Sequence, residues 1–331
     1  MFKIAKLPTW LTALLLTTLL HGCAAITPTP ERPAAVALYQ PQAVSSAEPA
    51  LLRYAPWFEV EEHQHEHNRI GAPAARMVSA DEHQIYIDTD RPTIYTMVQK
   101  FSTSGANYTN LIYRVHFPKV PCPHLTKGRN VGLLVYVTIN EREEPLLVTT
   151  LHTCGCYLGM VPTSNLEPDK WPIGWRKDDQ QRIYGEKLPG HLELRERIPG
   201  GQLVIALRGD THRVKGLEFR EVAPSTEAAT KTIPAGLAPA SDLEQIALNG
   251  GTVSFYEEAG WRKGYVKDSG KPLERLFMSW WAFDLMVGED KALGPAEQTG
   301  TTFYTSLKFW ARKASDIWDF PGFLKYWGWN F

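Results

Sequence analysis

The chain has 331 residues, of which 44% are apolar and 21% charged, with a formal net charge of −1. These fractions belong to a folded globular protein and exclude an intrinsically disordered one. The near-zero charge excludes nucleic acid as a partner, and no lysine-rich stripe suggests a basic membrane-binding face.

In chain order, Lys3 and Lys6 precede a short apolar run, Leu11 to Leu20, the layout of an export signal rather than a membrane span. The run ends in Leu20-His21-Gly22-Cys23. These four residues resemble the lipobox of bacterial lipoproteins. In that family the signal is cleaved before the cysteine, which becomes the acylated first residue. The resemblance implies a signal over 1–22 and lipidation at Cys23. Ala24, and not Asp, follows the cysteine. By the same resemblance this implies sorting to the outer membrane, with the mature chain facing the periplasm and the membrane as partner through an N-terminal lipid anchor. Several acyl chains make a stable anchor where one gives only marginal binding.

Residues 23–56 read as a spacer. Thr27-Pro28-Thr29-Pro30 and Pro33, Pro41, Pro49 and Pro56 oppose regular structure, and Ala and Ser fill much of the remainder. From 57 to 222 the pattern is β. Leu111, Tyr113, Val115 and Phe117 alternate with Ile112, Arg114 and His116, which predicts a half-buried strand. Val131 to Ile139 is apolar on both faces and predicts a central strand, and Leu146 to Leu151 continues in kind. Gln202 to Arg208 and Leu217 to Val222 are further short strands, bounded by turns such as Pro199-Gly200-Gly201. Residues 223–241, rich in Ala, Pro, Thr and Ser, read as a linker or long loop.

From 242 to 331 the composition turns aromatic, with seven tryptophans after residue 260. Pro272 predicts the start of a helix running through Trp280 and Trp281 towards Val287. Phe303, Leu307, Trp310, Ala314 and Ile317 recur at helical spacing and predict a second, amphipathic helix to Trp318, with Lys308 and Arg312 on its other side. The fold expected is α+β: a predominantly antiparallel, sandwich-like β body with a helical, Trp-rich C-terminal region. The final Tyr326-Trp327-Gly328-Trp329-Asn330-Phe331 resembles the last strand of outer-membrane β-barrels, but Pro321-Gly322 leaves too few residues for a span. These rings serve as a core, as a patch for a partner or membrane interface, or as a platform for glycan.

Chemistry concentrates in Cys122-Pro123-His124 and His152-Thr153-Cys154-Gly155-Cys156. In an extended strand His152, Cys154 and Cys156 share one face, with Cys122 and His124 completing a zinc or copper site from a neighbouring strand. An oxidising compartment instead favours a disulfide, from Cys122 to Cys154 or Cys156, or between Cys154 and Cys156. A third reading makes Cys154 or Cys156 a nucleophile, with His152, His116 or His124 as base. His63, His65 and His67 form a second cluster, read as a solvated surface segment that binds metal only adventitiously, with a physiological metal site as the alternative. Asp210 and His212 read as capping a turn and facing water. Motifs for hydrolases, zinc proteases, phosphate loops and dinucleotides are missing. The functional expectation is an envelope binding, assembly or structural module with a protein or glycan partner. The alternatives are a Cys/His-dependent enzyme and a zinc or copper handling protein.

Overall fold

In the computed structural model, residues 35–42, 48–103, 105–194, 201–222 and 230–331 are described. The lipobox and the Pro199-Gly200 turn lie outside these residues. The strands are β1 (Val36–Gln42), β2 (Trp57–Val60), β3 (Ala72–Met77), β4 (His83–Asp88), β5 (Thr93–Ser102), β6 (Asn107–Val120), β7 (Gly128–Ile139) and β8 (Pro145–His152). They continue with β9 (Gly159–Pro162), β10 (Gln181–Ile183), β11 (Glu186–Leu188), β12 (Gly201–Leu207), β13 (Val214–Glu221), β14 (Thr230–Pro239), β15 (Ile246–Leu248) and β16 (Gly251–Val253). The helices are α1 (Pro49–Arg53), α2 (Pro272–Ala282), α3 (Ala296–Thr299) and α4 (Phe320–Tyr326).

Ten strands form one mixed sheet in the order β13-β12-β2-β1-β14-β5-β6-β7-β8-β9. The β12·β2, β1·β14 and β14·β5 pairings are parallel, and the others are antiparallel. The chain is thus α+β with a β-dominated body, as its composition and periodicity predict. One core cluster joins Leu203, Ile205 and Leu207 of β12 to Leu133 and Val135 of β7, and to Val148 and Val161 near the opposite edge. The sheet therefore curls, and a single sheet supplies both walls of that core.

Two strands arise in stretches read as spacer and linker. β1 and β14 lie side by side in the middle of the sheet, with Tyr39 paired to Ile233. Their prolines are tolerated because flanking strands and burial of Ala37, Leu38, Tyr39, Ala235 and Leu237 outweigh the lost donors. The strand through Leu111–Phe117 is buried on both faces rather than half-buried. Its polar face, Arg114 and His116, is covered by the C-terminal region: Arg114 Nη1 donates to Lys291 O (3.1 Å) and Phe255 meets the His116 ring edge-on at 4.8 Å.

The C-terminal region is less helical than its pattern suggests. α2 begins at Pro272 as expected but stops at Ala282, because Phe283 turns left-handed (φ 52°). No α-helix forms over 303–318. Tyr304 and Asp316 instead make an antiparallel bridge, burying Phe303 and Ile317 in the two bridged segments while Trp310 stays outside. Helical spacing also describes two short segments joined by a turn when only their ends are buried. The chain terminus is helical over α4, with Phe320, Phe323 and Leu324 buried beside Tyr136 and Trp329. All three core clusters lie within Ala35–Phe331, one compact unit.

Candidate functional site

β8 ends at His152, and the next residues turn sharply instead of continuing extended. His152 N donates to Cys156 O (2.9 Å) and Gly155 N to His152 O (2.8 Å). Gly155 has φ +90°, and a Cβ there would sit 2.2 Å from Tyr304 O, so only glycine fits this position. The turn brings Cys154 and Cys156 together as a disulfide. His152, Cys154 and Cys156 thus do not converge as ligands from one strand face. Cys122 is a free, exposed thiol. Among the described residues, no group of three or more His, Cys, Asp or Glu is arranged to hold a metal ion.

Beneath the turn lies a layer of buried charge that the sequence pattern does not announce. Glu289, Asp290 and Lys291 are fully buried, with Lys271 and Glu274 nearly so. Lys271 Nζ is 3.0 Å from Asp290 Oδ2, and Thr153 Oγ1 donates to Asp290 Oδ1. Glu289 accepts from Arg275 (2.8 Å) and Ser269 (3.2 Å). Lys291 Nζ donates to Cys154 O and Glu289 O, both at 3.0 Å, and lies 4.5 Å from the Tyr304 ring centroid. Burial pulls Lys291 down to about 8. Burial also lowers Lys271, but Asp290 and Glu274 outweigh it and leave the ammonium above its ordinary value. Glu274 is raised, mainly by burial. The local signal is Gly288-Glu289-Asp290-Lys291, a charged run that composition alone assigns to a surface turn.

A cleft of about 700 Å³ opens over this layer, within the range of ligand sites. Cys154, Gly155 and Cys156 line it together with Tyr157, Glu274 and Trp327. Among the described residues, Glu274 Oε2 and Thr211 Oγ1, both on its wall, have no hydrogen-bond partner. His124 also lines it.

The histidines form a chain behind the cleft. His152 Nε2 donates to His212 O (3.1 Å), and His212 Nε2 donates to His67 O (3.0 Å). His67 Nε2 in turn reaches Asp210 Oδ1 at 2.7 Å, with His124 Nε2 3.6 Å from the other oxygen. Burial alone would raise the Asp210 carboxyl, but the two imidazoles outweigh it and hold it below its ordinary value. His212 does not face water. It is 1% exposed and stacks on Phe117 at 4.0 Å. The His63, His65 and His67 rings do not converge: His63 leans on Tyr39, while His65 stacks on His67. His116 sits apart, accepting from Arg114 Nε (3.0 Å). Burial drives His116 well below the ordinary histidine range and His152 and His212 down to about 3.

The second feature is an aromatic face. α2 is turned inside out: its buried residues are Glu274 and Ala282, whereas Leu276, Phe277, Trp280 and Trp281 are exposed. Phe283, Leu285, Phe309 and Trp310 extend the exposed surface, and exposures run from 44% for Trp281 to 74% for Trp280. Phe283 packs edge-on against Phe309 (5.4 Å), and Phe309 against Trp310 (5.0 Å). Arg312 ties the two segments by donating to Ala282 O and Phe283 O. Within 272–285 and 308–313 the exposed charged residues are Lys308 and Lys313. The C-terminal rings are therefore divided, with Trp329, Phe303, Phe320 and Phe323 in the core.

Comparison with family models, curated proteins and solved structures returns no match. The residues of the cleft and of the aromatic face carry the functional reading by themselves.

Proposed function

We propose that this chain is an envelope lipoprotein, acylated at Cys23 and held on the periplasmic face of the outer membrane, whose body works as a binding module seated on the lipid surface by its aromatic face. The observation that carries this reading is the inverted helix α2. An isolated amphipathic helix on a soluble body turns its apolar stripe inward; here that stripe faces outward and continues into Phe283, Leu285, Phe309 and Trp310. A patch of this kind marks an interaction surface. Trp-rich composition suits the half-wet boundary of a bilayer, and Lys308 and Lys313 suit anionic headgroups. None of the described helices is long and apolar enough to cross a membrane, so the support is for resting on the lipid rather than spanning it. From Cys23 to Ala35 the chain reaches at most about 40 Å, so an acyl group on Cys23 keeps the body near that surface.

The test has two arms. The full chain expressed in a Gram-negative cell takes up an alkyne-tagged fatty acid, and Cys23→Ser abolishes the label. Residues 35–331, without any acyl group, sediment with vesicles containing phosphatidylglycerol, and their tryptophan emission moves to shorter wavelength. The double variant Trp280→Ser/Trp310→Ser binds at least tenfold more weakly. Failure of the unacylated body to bind vesicles, with stoichiometric capture of an envelope protein or a glycan instead, would replace the lipid by that partner.

A further inference from the structure

We infer that the Cys154–Cys156 disulfide is a thiol–disulfide exchange site, taking as substrate a pair of cysteine thiols on another polypeptide. Such exchange does not depend on how the body meets the membrane. The bridge joins residues two apart in sequence, so it ties no strand to another and restricts the unfolded chain less than a bridge across the sheet would. A staple would have recruited Cys122, which remains free and exposed.

The turn is also held without sulfur. Thr153 N donates to Gly132 O and Lys291 N to Thr153 O, both at 2.9 Å. Lys291 Nζ grips Cys154 O from below, and Gly155 fits under Tyr304 O. Opening the S–S bond therefore leaves the backbone of the turn in place, as a reversible site requires.

The two cysteines both line the cleft but are unequally exposed: Cys154 is buried at 4% exposure, whereas Cys156 is half-buried. A thiolate arriving through the cleft attacks Cys156 Sγ. The Cys154–Cys156 bond breaks, a mixed disulfide forms between Cys156 and the substrate, and the electron pair leaves on Cys154, which takes up a proton. The second substrate thiolate attacks the substrate sulfur of that mixed disulfide, releasing Cys156, which is protonated in turn. The substrate dithiol loses two electrons and two protons, and the protein gains them. Lys291 Nζ donates to the Cys154 backbone oxygen, so an ammonium stands beside the residue whose sulfur leaves, and positive charge near a cysteine favours its thiolate. The cleft is walled by Leu158, Ile183, Met278, Leu307 and Trp327, which suits cysteines flanked by apolar residues.

The experiment uses residues 35–331 with Cys122→Ala, so that the exposed thiol does not contribute. The protein is mixed with a synthetic peptide carrying Leu-Cys-x-x-Cys-Leu in its reduced form, quenched with acid and alkylated. The expected result is one oxidised peptide per chain and two new thiols at Cys154 and Cys156, with the near-ultraviolet circular dichroism retained. In single-thiol variants, Cys154→Ser, which leaves the outer sulfur, reacts with an aromatic disulfide reagent at least tenfold faster than Cys156→Ser. A bridge that opens only in denaturant, loss of the aromatic signal on reduction, or equal reactivity of the two variants would each overturn the assignment. Peptide oxidation by the Cys122→Ala protein with both Cys154 and Cys156 intact stands as the deciding reading if either single-thiol variant fails to fold.

Discussion

Lowering the pH from 7 to 5 is expected to destabilise the body by about 2 kcal/mol for each of His152 and His212, with His116 adding in the same direction. The sign follows from where the protons go. All three imidazoles are held neutral in the fold, first by burial. The positive charges of Lys271 beside His152, and of Arg114 beside His116, add to the effect. In the unfolded chain they protonate near the ordinary value of about 6.5. Below that value the unfolded state binds more protons than the native one, so stability present above pH 6.5 is lost as the pH falls towards about 3, the folded value of His152 and His212. Glu274 works the other way, since its raised carboxyl takes up a proton earlier in the folded state. Urea unfolding at pH 7 and pH 5 measures the net change. Imidazole proton resonances identify the source, because three of them should hold their shifts over this range. A flat stability profile with all the imidazoles titrating would place water around His152 and His212.

The second large effect concerns the buried charge layer. Asp290→Ala is expected to cost about 3–5 kcal/mol, because it strands the Lys271 ammonium without its nearest countercharge. Asp290 is fully buried and Lys271 nearly so, at 3.0 Å from each other. The same carboxylate accepts from Thr153, so the variant also loosens the residue that enters the disulfide turn. Removing both charges is a different experiment. Lys271→Met/Asp290→Leu leaves no orphaned ion and should recover most of the loss. Denaturant midpoints at constant m-value separate the two outcomes. A single variant costing under about 1 kcal/mol would mean that the pair is hydrated and contributes little to the fold.

Several elements are legible in the order of residues. Val131–Ile139 and Leu146–Leu151 read as buried strands because a strand covered on both faces needs an unbroken apolar run, and both lie inside β7 and β8. Pro272 marks the first turn of α2, where its missing donor costs nothing. The cysteines and His152 stand out as a local cluster, yet their spacing leaves the pairing open. One extended strand and one tight turn carry the same spacing, and Gly155 in its left-handed conformation decides between them. The buried charges are not legible at all. Glu289, Asp290 and Lys291 have the composition of a solvated turn, and only their mutual pairing with Lys271, Arg275 and Ser269 makes burial tolerable.

What the sequence by itself determined is therefore the β-dominated body, the run of its long central strands and the start of α2. These depend on local periodicity and on the stereochemistry of proline, which act within a few residues. The tertiary structure alone decided that Pro-rich β1 and β14 pair in the middle of the sheet, that α2 shows its apolar stripe to solvent, and that a charged layer supports the disulfide turn. Each of those outcomes depends on groups far apart in the chain, whose hydrogen bonds and countercharges no local pattern records.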